Sequence, residues 1–290
     1  MFSGAIVAIV TPFSNGKVDE KAFRGLINFL IDGGISGIVP CGTTGESATL
    51  THQEHKRVID ITVEEAGGRV PVIAGTGSNS TDEAIRLTKH AKDAGADAAL
   101  LITPYYNKPT QKGLYEHYKA VASACDIPQV LYNVPGRTGV NMSAETVVEL
   151  SKIDTIVGVK EASGDLVKCS QIVRDTPEDF CLLSGEDALN LPILCVGGTG
   201  AISVTANIMP GKLSAMINAW KKGDTKTART IHLEMIDINN VMFIETNPIP
   251  VKTALAMMGK IREEFKLPLC PMAEANRKKL AEVLKRYGCI

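Results

Sequence analysis

The sequence predicts a (β/α)8 TIM barrel with a C-terminal helical extension. Eight short β-rich runs recur at intervals of roughly 20–30 residues, amphipathic segments of helical length separate them, and only helical periodicity follows the eighth run. The runs are 5–10, 37–41, 70–75, 98–103, 129–134, 156–162, 180–184 and 200–204. Helical segments include 19–31, 51–65, 81–94 and 111–124. Thr51 with Glu54 three places on forms a capping box, and Ser80 or Thr81 opens the next helix. Strict alternation calls for a parallel sheet, and eight units call for its closure. An open doubly wound sheet is the alternative, but no G-x-G-x-x-G turn follows the first run. Segment 210–222 supplies the eighth barrel helix. Beyond Asp224, helices are expected over 225–244, 250–258 and 273–287, punctuated by Asn247-Pro248-Ile249-Pro250 and Leu267-Pro268. The expected division is therefore a barrel over 1–223 and a helical region over 224–290 packed on it, with no low-complexity linker between them.

Composition narrows the function classes. With 44% hydrophobic and 22% charged residues the chain reads as a soluble globular protein. Its 31 basic and 32 acidic residues leave a net charge of −1, and no like-charge block points to nucleic acid or a membrane surface. The start, Met1-Phe2-Ser3-Gly4, lacks a basic n-region and a cleavage site, so no secretion signal is expected. No apolar stretch reaches the roughly 18 residues of a membrane span. Seven cysteines at irregular spacings, none in a C-x-x-C pair, suggest neither a disulfide framework nor a zinc knuckle. A reducing cytoplasm fits them.

In a barrel, functional side chains gather where strands end and βα loops begin. Lys160 closes the branched run Thr155-Ile156-Val157-Gly158-Val159, and alternation puts Ile156, Gly158 and Lys160 on one face. Burial disfavours a charged amine, and a neutral amine forms Schiff bases with carbonyl compounds. A lysine marking the solvated end of a strand is the other reading.

The second run enters Cys41-Gly42-Thr43-Thr44-Gly45-Glu46-Ser47, a turn whose amides and hydroxyls suit a small carboxylate or phosphate, or simply cap a helix. The fourth ends in Thr103-Pro104-Tyr105-Tyr106-Asn107, whose tyrosines suit a subunit interface or core packing. The fifth ends in Tyr132-Asn133-Val134-Pro135-Gly136-Arg137-Thr138-Gly139, a proton-handling phenol followed by a guanidinium fit to clamp a carboxylate.

No metal-ligand pattern accompanies them: His52-Gln53-Glu54-His55 is not H-E-x-x-H, and Gly197-Gly198-Thr199-Gly200 precedes a strand where a phosphate loop would follow one. An amine, a phenol, hydroxyls and a guanidinium on one rim support a metal-free Schiff-base lyase or aldolase.

At these residues the sequence resembles the dihydrodipicolinate synthase family of the pyruvate-dependent class I aldolase and N-acetylneuraminate lyase superfamily. The similarity runs from Gly4-Ala5-Ile6-Val7-Ala8-Ile9-Val10-Thr11-Pro12-Phe13 to Asn247-Pro248-Ile249-Pro250-Val251-Lys252. Gly42-x-x-Gly45-Glu46 and the Tyr132…Lys160 pair mark the superfamily, and Thr43-Thr44 with the Arg137 loop marks the synthase subgroup.

The resemblance implies that Lys160 condenses with pyruvate and that the enamine attacks L-aspartate 4-semialdehyde. The only prosthesis implied is the covalent lysine–pyruvate adduct; no cofactor or metal is implied. The main chain at Thr43 and Thr44 would hold the pyruvate carboxylate, and Tyr132, Thr43 and Tyr106 would relay protons, Tyr106 from a neighbouring subunit. Arg137 would bind the aldehyde's carboxylate, and Gly185 and Ile202 would offer carbonyls. Feedback inhibition by L-lysine is also implied, at a site matching Ser47, Ala48, His52, His55, Asn79, Glu83 and Tyr105, in a tetramer built as a dimer of dimers. A solvated helix face is the other reading of His52 and His55.

The sequence leaves two rivals. One is a related aldolase acting on another 2-oxo acid, with no need for Arg137. The other is a non-catalytic amino- or oxo-acid sensor, for which Lys160, Tyr132 and Thr43 would have no use.

Overall fold

In the computed structural model, which describes residues 2–290, the eight runs close into a parallel barrel. Its strands are Gly4–Ala8, Gly37–Val39, Ile73–Gly75, Ala98–Ile102, Gln129–Asn133, Ile156–Glu161, Cys181–Ser184 and Gly200–Ser203. The first strand pairs with both the second and the eighth. The second and third strands join through a parallel bridge between Ile38 and Val72, with Ile38 N–H donating to Pro71 O at 3.0 Å and Gly75 N–H to Pro40 O at 2.9 Å. No open edge is left there, so the open doubly wound alternative is excluded. Gly75 makes the seam possible: a β-carbon on it would lie 2.2 Å from Cys41 O.

Two layers of core follow from strand alternation. Ile6, Val39, Ile73, Leu100, Val130, Leu183 and Ile202 fill the barrel interior, while outward residues such as Val7, Ile38, Leu101 and Val159 pack under the helices. Several helix starts are capped by side chains, that of His52–Ala66 as the sequence suggests. Thr51 and Glu54 form the reciprocal box, and Asp19, Thr110, Ser143, Asp165 and Asp224 each accept an N–H from the first turn. Ser80 precedes helix Thr81–Asp93 without a side-chain cap bond.

Two expectations need correction. Alternation does not hold across the sixth strand: pairing slips so that Gln129 faces Ile156 but Val130 faces Gly158. The extra residue turns Ile156 into the outer layer, leaving Gly158 and Lys160 inside. The segment 225–244 is not one helix but Thr225–Glu234 and Ile236–Val241, hinged at buried Met235. The bend lets Asn239 Nδ2 donate to Asp187 O at 3.2 Å, a tertiary contact invisible to periodicity.

Helices Ile249–Met257 and Glu274–Arg286 complete the extension. Val251, Leu255, Leu280 and Leu284 share one apolar cluster with Val7, Ile9 and Ile38, so barrel and extension are built on a continuous core. No helix among the described residues is long and apolar enough to cross a membrane.

Candidate active site

Lys160 and Tyr132 are register partners on adjacent strands at the end where the βα loops begin. Both are about 94% buried, each 6% exposed, and Lys160 Nζ lies 4.2 Å from the centroid of the Tyr132 ring. Glu161, the next residue, points to the opposite face. There its carboxylate takes Asn133 Nδ2 at 3.0 Å, Ser163 N–H at 2.7 Å and the ammonium of buried Lys168 at 3.0 Å. This fully satisfied buried pair fixes the strand end that carries Lys160.

The amine opens on a cavity of about 560 Å3 that also gathers Thr43, Thr44, Tyr132, Arg137 and Gly185. A second cavity, about 520 Å3, adjoins it and holds Ser47, Ala48, His52, His55, Glu83 and Tyr105. Thr43, Arg137, Thr246 and Asn247 line both.

In the second cavity His52 Nε2 lies 3.3 Å from Glu83 Oε1, and Ser78 donates a short hydrogen bond to the other Glu83 oxygen. His55 is buried, its Nδ1 without a partner among the described residues, and desolvation pushes its pKa down to about 4. A solvated face therefore describes His52 but not His55.

Three of the sequence-selected residues are not among those that line these two cavities. Tyr106 is 90% exposed in a left-handed conformation (φ +72°) at a loop tip, away from Lys160 of its own chain. Ile202 is buried in the barrel interior, and Val204 lines the Lys160 cavity instead. Asn79 donates from Nδ2 to Tyr105 O at 3.2 Å.

Sequence reasoning missed Glu186, Phe243, Glu245, Thr246 and Asn247, all of which line the Lys160 cavity. Four come from the extension. In the sequence the run Asn247-Pro248-Ile249-Pro250 marks a break between helices and the end of the family resemblance, and neither gives Asn247 a place at the site. Glu186 follows Gly185 at a strand end, where position alone could have marked it.

The extension is tied to the Thr43–Thr44 loop by a fully buried ion pair. Glu46, left-handed at φ +56°, meets Lys252 Nζ at 2.5 Å and accepts Lys266 N–H at 3.0 Å. The Lys252 ammonium lies 4.2 Å from the Phe13 ring centroid and 5.1 Å from that of Phe265. Desolvation lowers its pKa and the Glu46 carboxylate opposes the shift. Among the described residues no group of three or more His, Cys, Asp or Glu side chains is arranged to hold a metal ion.

In chemical terms the first cavity presents a shielded primary amine beside a phenol, a threonine-lined turn at one wall and a guanidinium at another. That set suits a small carbonyl compound bearing a carboxylate.

The dihydrodipicolinate synthetase family model matches residues 1–287. The 4-hydroxy-tetrahydrodipicolinate synthase of Thermodesulfovibrio yellowstonii is 60% identical over 290 residues, with 100% of both chains covered. Among solved structures, the chloride-inhibited dihydrodipicolinate synthase of Acinetobacter baumannii complexed with pyruvate matches with a TM-score of 0.98 and 48% identity, covering 100% of each chain. The enzyme of Cyanidioschyzon merolae with lysine bound matches at 0.97 and 40%, covering 100% of this chain and 99% of that one. The chain belongs to the dihydrodipicolinate synthetase family and is a lyase.

Proposed function

We propose that this member of the dihydrodipicolinate synthetase family joins pyruvate to L-aspartate 4-semialdehyde, giving 4-hydroxy-tetrahydrodipicolinate and water, as a cytoplasmic step toward diaminopimelate and lysine. The observation that carries it is the Lys160 amine, buried at a strand end 4.2 Å from the Tyr132 ring centroid and facing a cavity with Thr44 and Arg137. The curated relative's activity and the pyruvate complex of the Acinetobacter enzyme support it.

Lys160 Nζ adds to the pyruvate ketone, and the carbinolamine loses water to give the Schiff base. Loss of a methyl proton gives the enamine, whose carbon attacks the aldehyde; the aldehyde oxygen takes a proton and becomes the 4-hydroxyl. The substrate's own amine then attacks the imine carbon and expels Lys160, closing the ring. Tyr132 and Thr43 carry the protons, with Tyr106 of a neighbouring subunit completing the relay in a dimer-of-dimers tetramer. Thr43 and Thr44 hold the pyruvate carboxylate, Arg137 holds that of the aldehyde, and Gly185 and Ile202 offer carbonyls. No cofactor beyond the lysine adduct enters these steps. In this reading 1–223 is the catalytic barrel and 224–290 its helical extension.

The test is borohydride reduction in the presence of pyruvate, mass mapping of the adduct, and turnover with the semialdehyde. An adduct on Lys160 with turnover is expected. A sensor gives no adduct, and an aldolase for another 2-oxo acid gives the adduct without turnover.

The second cavity supports a further reading, inhibition by L-lysine. Glu83 would pair with an effector ammonium, and Ser47, Ala48, His52, His55, Asn79 and Tyr105 would surround it. The lysine-bound Cyanidioschyzon enzyme favours this. Titrating lysine against the steady-state rate decides it: no inhibition at millimolar lysine would refute it.

A further inference from the structure

We infer that Asn247 is a positioning residue that aims two substrate-binding groups at once, Thr44 and Arg137. The inference rests on the reading that the Thr43–Thr44 turn holds the pyruvate carboxylate and Arg137 that of the aldehyde, and it adds the Thr44 hydroxyl to the first of these.

Asn247 is 4% exposed and lies in the wall common to both cavities. Its Nδ2 donates to Thr44 Oγ1 at 3.0 Å, and its main-chain carbonyl accepts from Arg137 Nη2 at 3.3 Å. Thr44 belongs to the turn after the second strand, Arg137 to the turn after the fifth, and Asn247 to the extension. No other residue is hydrogen-bonded through side chain or backbone to both of those groups among the described residues.

The polarity of these contacts gives them their function. A hydroxyl that accepts from an amide keeps its own proton free to donate, so Thr44 is left with its O–H available for an anion. Arg137 has no carboxylate partner among the described residues, and one weakly held carbonyl contact steadies the guanidinium while leaving most of its donors free. The same residue therefore fixes two anion-binding groups without neutralising either.

Asn247 is itself held by its surroundings. Five residues on, Lys252 is locked to Glu46, which lies two residues beyond Thr44, so the segment 247–252 and the loop it contacts share a buried anchor. The amide oxygen of Asn247 is buried without a partner, which leaves the Thr44 contact as the side chain's only hydrogen bond among the described residues.

The experiment compares Asn247→Ala, Asn247→Asp and Asn247→Ser in the full chain, with circular dichroism to confirm folding and separate KM values for the two substrates. Asn247→Ala should raise the pyruvate KM about tenfold, the effect of one lost hydrogen bond, with a smaller fall in kcat. Asn247→Asp has nearly the same shape but only accepts, so it draws the Thr44 proton away from substrate and should be worse for pyruvate than Asn247→Ala. Asn247→Ser restores a short donor and should fall between Asn247→Ala and the parent; it carries the test if the aspartate variant does not fold.

Aspartate equal to or better than alanine, serine no better than alanine, or unchanged pyruvate KM in all three would overturn the inference. Failure of the parent enzyme to give any borohydride-trapped pyruvate adduct would instead overturn the reading of the site on which it rests.

Discussion

Lys160 and Gly185 meet across the sixth and seventh strands so closely that a β-carbon on Gly185 would lie 3.1 Å from Lys160 Cε and 2.8 Å from Ala162 Cβ. The absence of a side chain at Gly185 therefore sets where the amine can stand. Gly185→Ala should displace Lys160 and slow formation of the borohydride-trappable adduct by about 10²-fold, the scale of an ångström's misplacement at a reacting group. Lys160→Ala should abolish the adduct. An unchanged adduct rate in Gly185→Ala would show that the contact has no bearing on the chemistry.

Arg137→Ala should raise the KM for the aldehyde substrate about 10- to 100-fold, the range for a lost charge-assisted hydrogen bond, while pyruvate still forms its adduct. Separate KM determinations check this. An equal rise for both substrates would assign Arg137 to the whole cavity and not to one carboxylate.

Among the described residues Glu83 carries the only carboxylate on the proposed effector cavity besides buried Glu46, which is already paired with Lys252. Glu83→Gln should raise the lysine concentration for half-inhibition at least tenfold by removing the charge that faces the effector's ammonium. Retained sensitivity in the variant would move the lysine site elsewhere.

Acid should destabilise the fold before it protonates most carboxylates. His55 and His117 are buried, and desolvation lowers both to about 4. As pH falls through 6.5 the unfolded chain takes up protons on these rings while the folded chain does not. The unfolded state therefore binds more protons between pH 6.5 and about 4, and stability is lost on descending that window and level above it. Each ring accounts for about 3 kcal/mol over the full window. Urea midpoints between pH 4 and 8 measure the slope, and His117→Asn should remove about half of it. A slope unaffected by that substitution would mean that His117 titrates in the folded protein.

The Glu46–Lys252 pair is fully buried, so breaking it should cost far more than removing it. Lys252→Met leaves a buried carboxylate unpaired and should destabilise by about 3–5 kcal/mol. The double variant with Glu46→Gln should regain much of that loss. Urea unfolding of the four proteins in a double-mutant cycle gives the coupling, and additive single effects would mean no coupling between them.

Much of the architecture was legible in the sequence because it rests on local physics. Strand and helix periods, the Thr51–Glu54 box and eightfold β/α alternation announced the barrel. The same topology puts Lys160, Tyr132, Thr43 and Arg137 on one rim, and all four line one cavity. Family likeness implies roles that residue types alone leave open, above all for the tyrosines and histidines, and those roles are proposals.

What periodicity could not carry was decided between distant segments. The slipped pairing that turns Ile156 outward depends on the neighbouring strand, and the bend at Met235 depends on a contact to Asp187. Asn247 reaches Thr44 across 203 positions of sequence, and Lys252 reaches Glu46 across 206. Sequence determined the barrel and the chemical groups at its mouth, because strand and helix patterning is written in neighbouring residues. Only the tertiary structure decided how the extension closes one wall of the cavity, because a hydrogen bond or buried charge pair between remote segments leaves no local pattern.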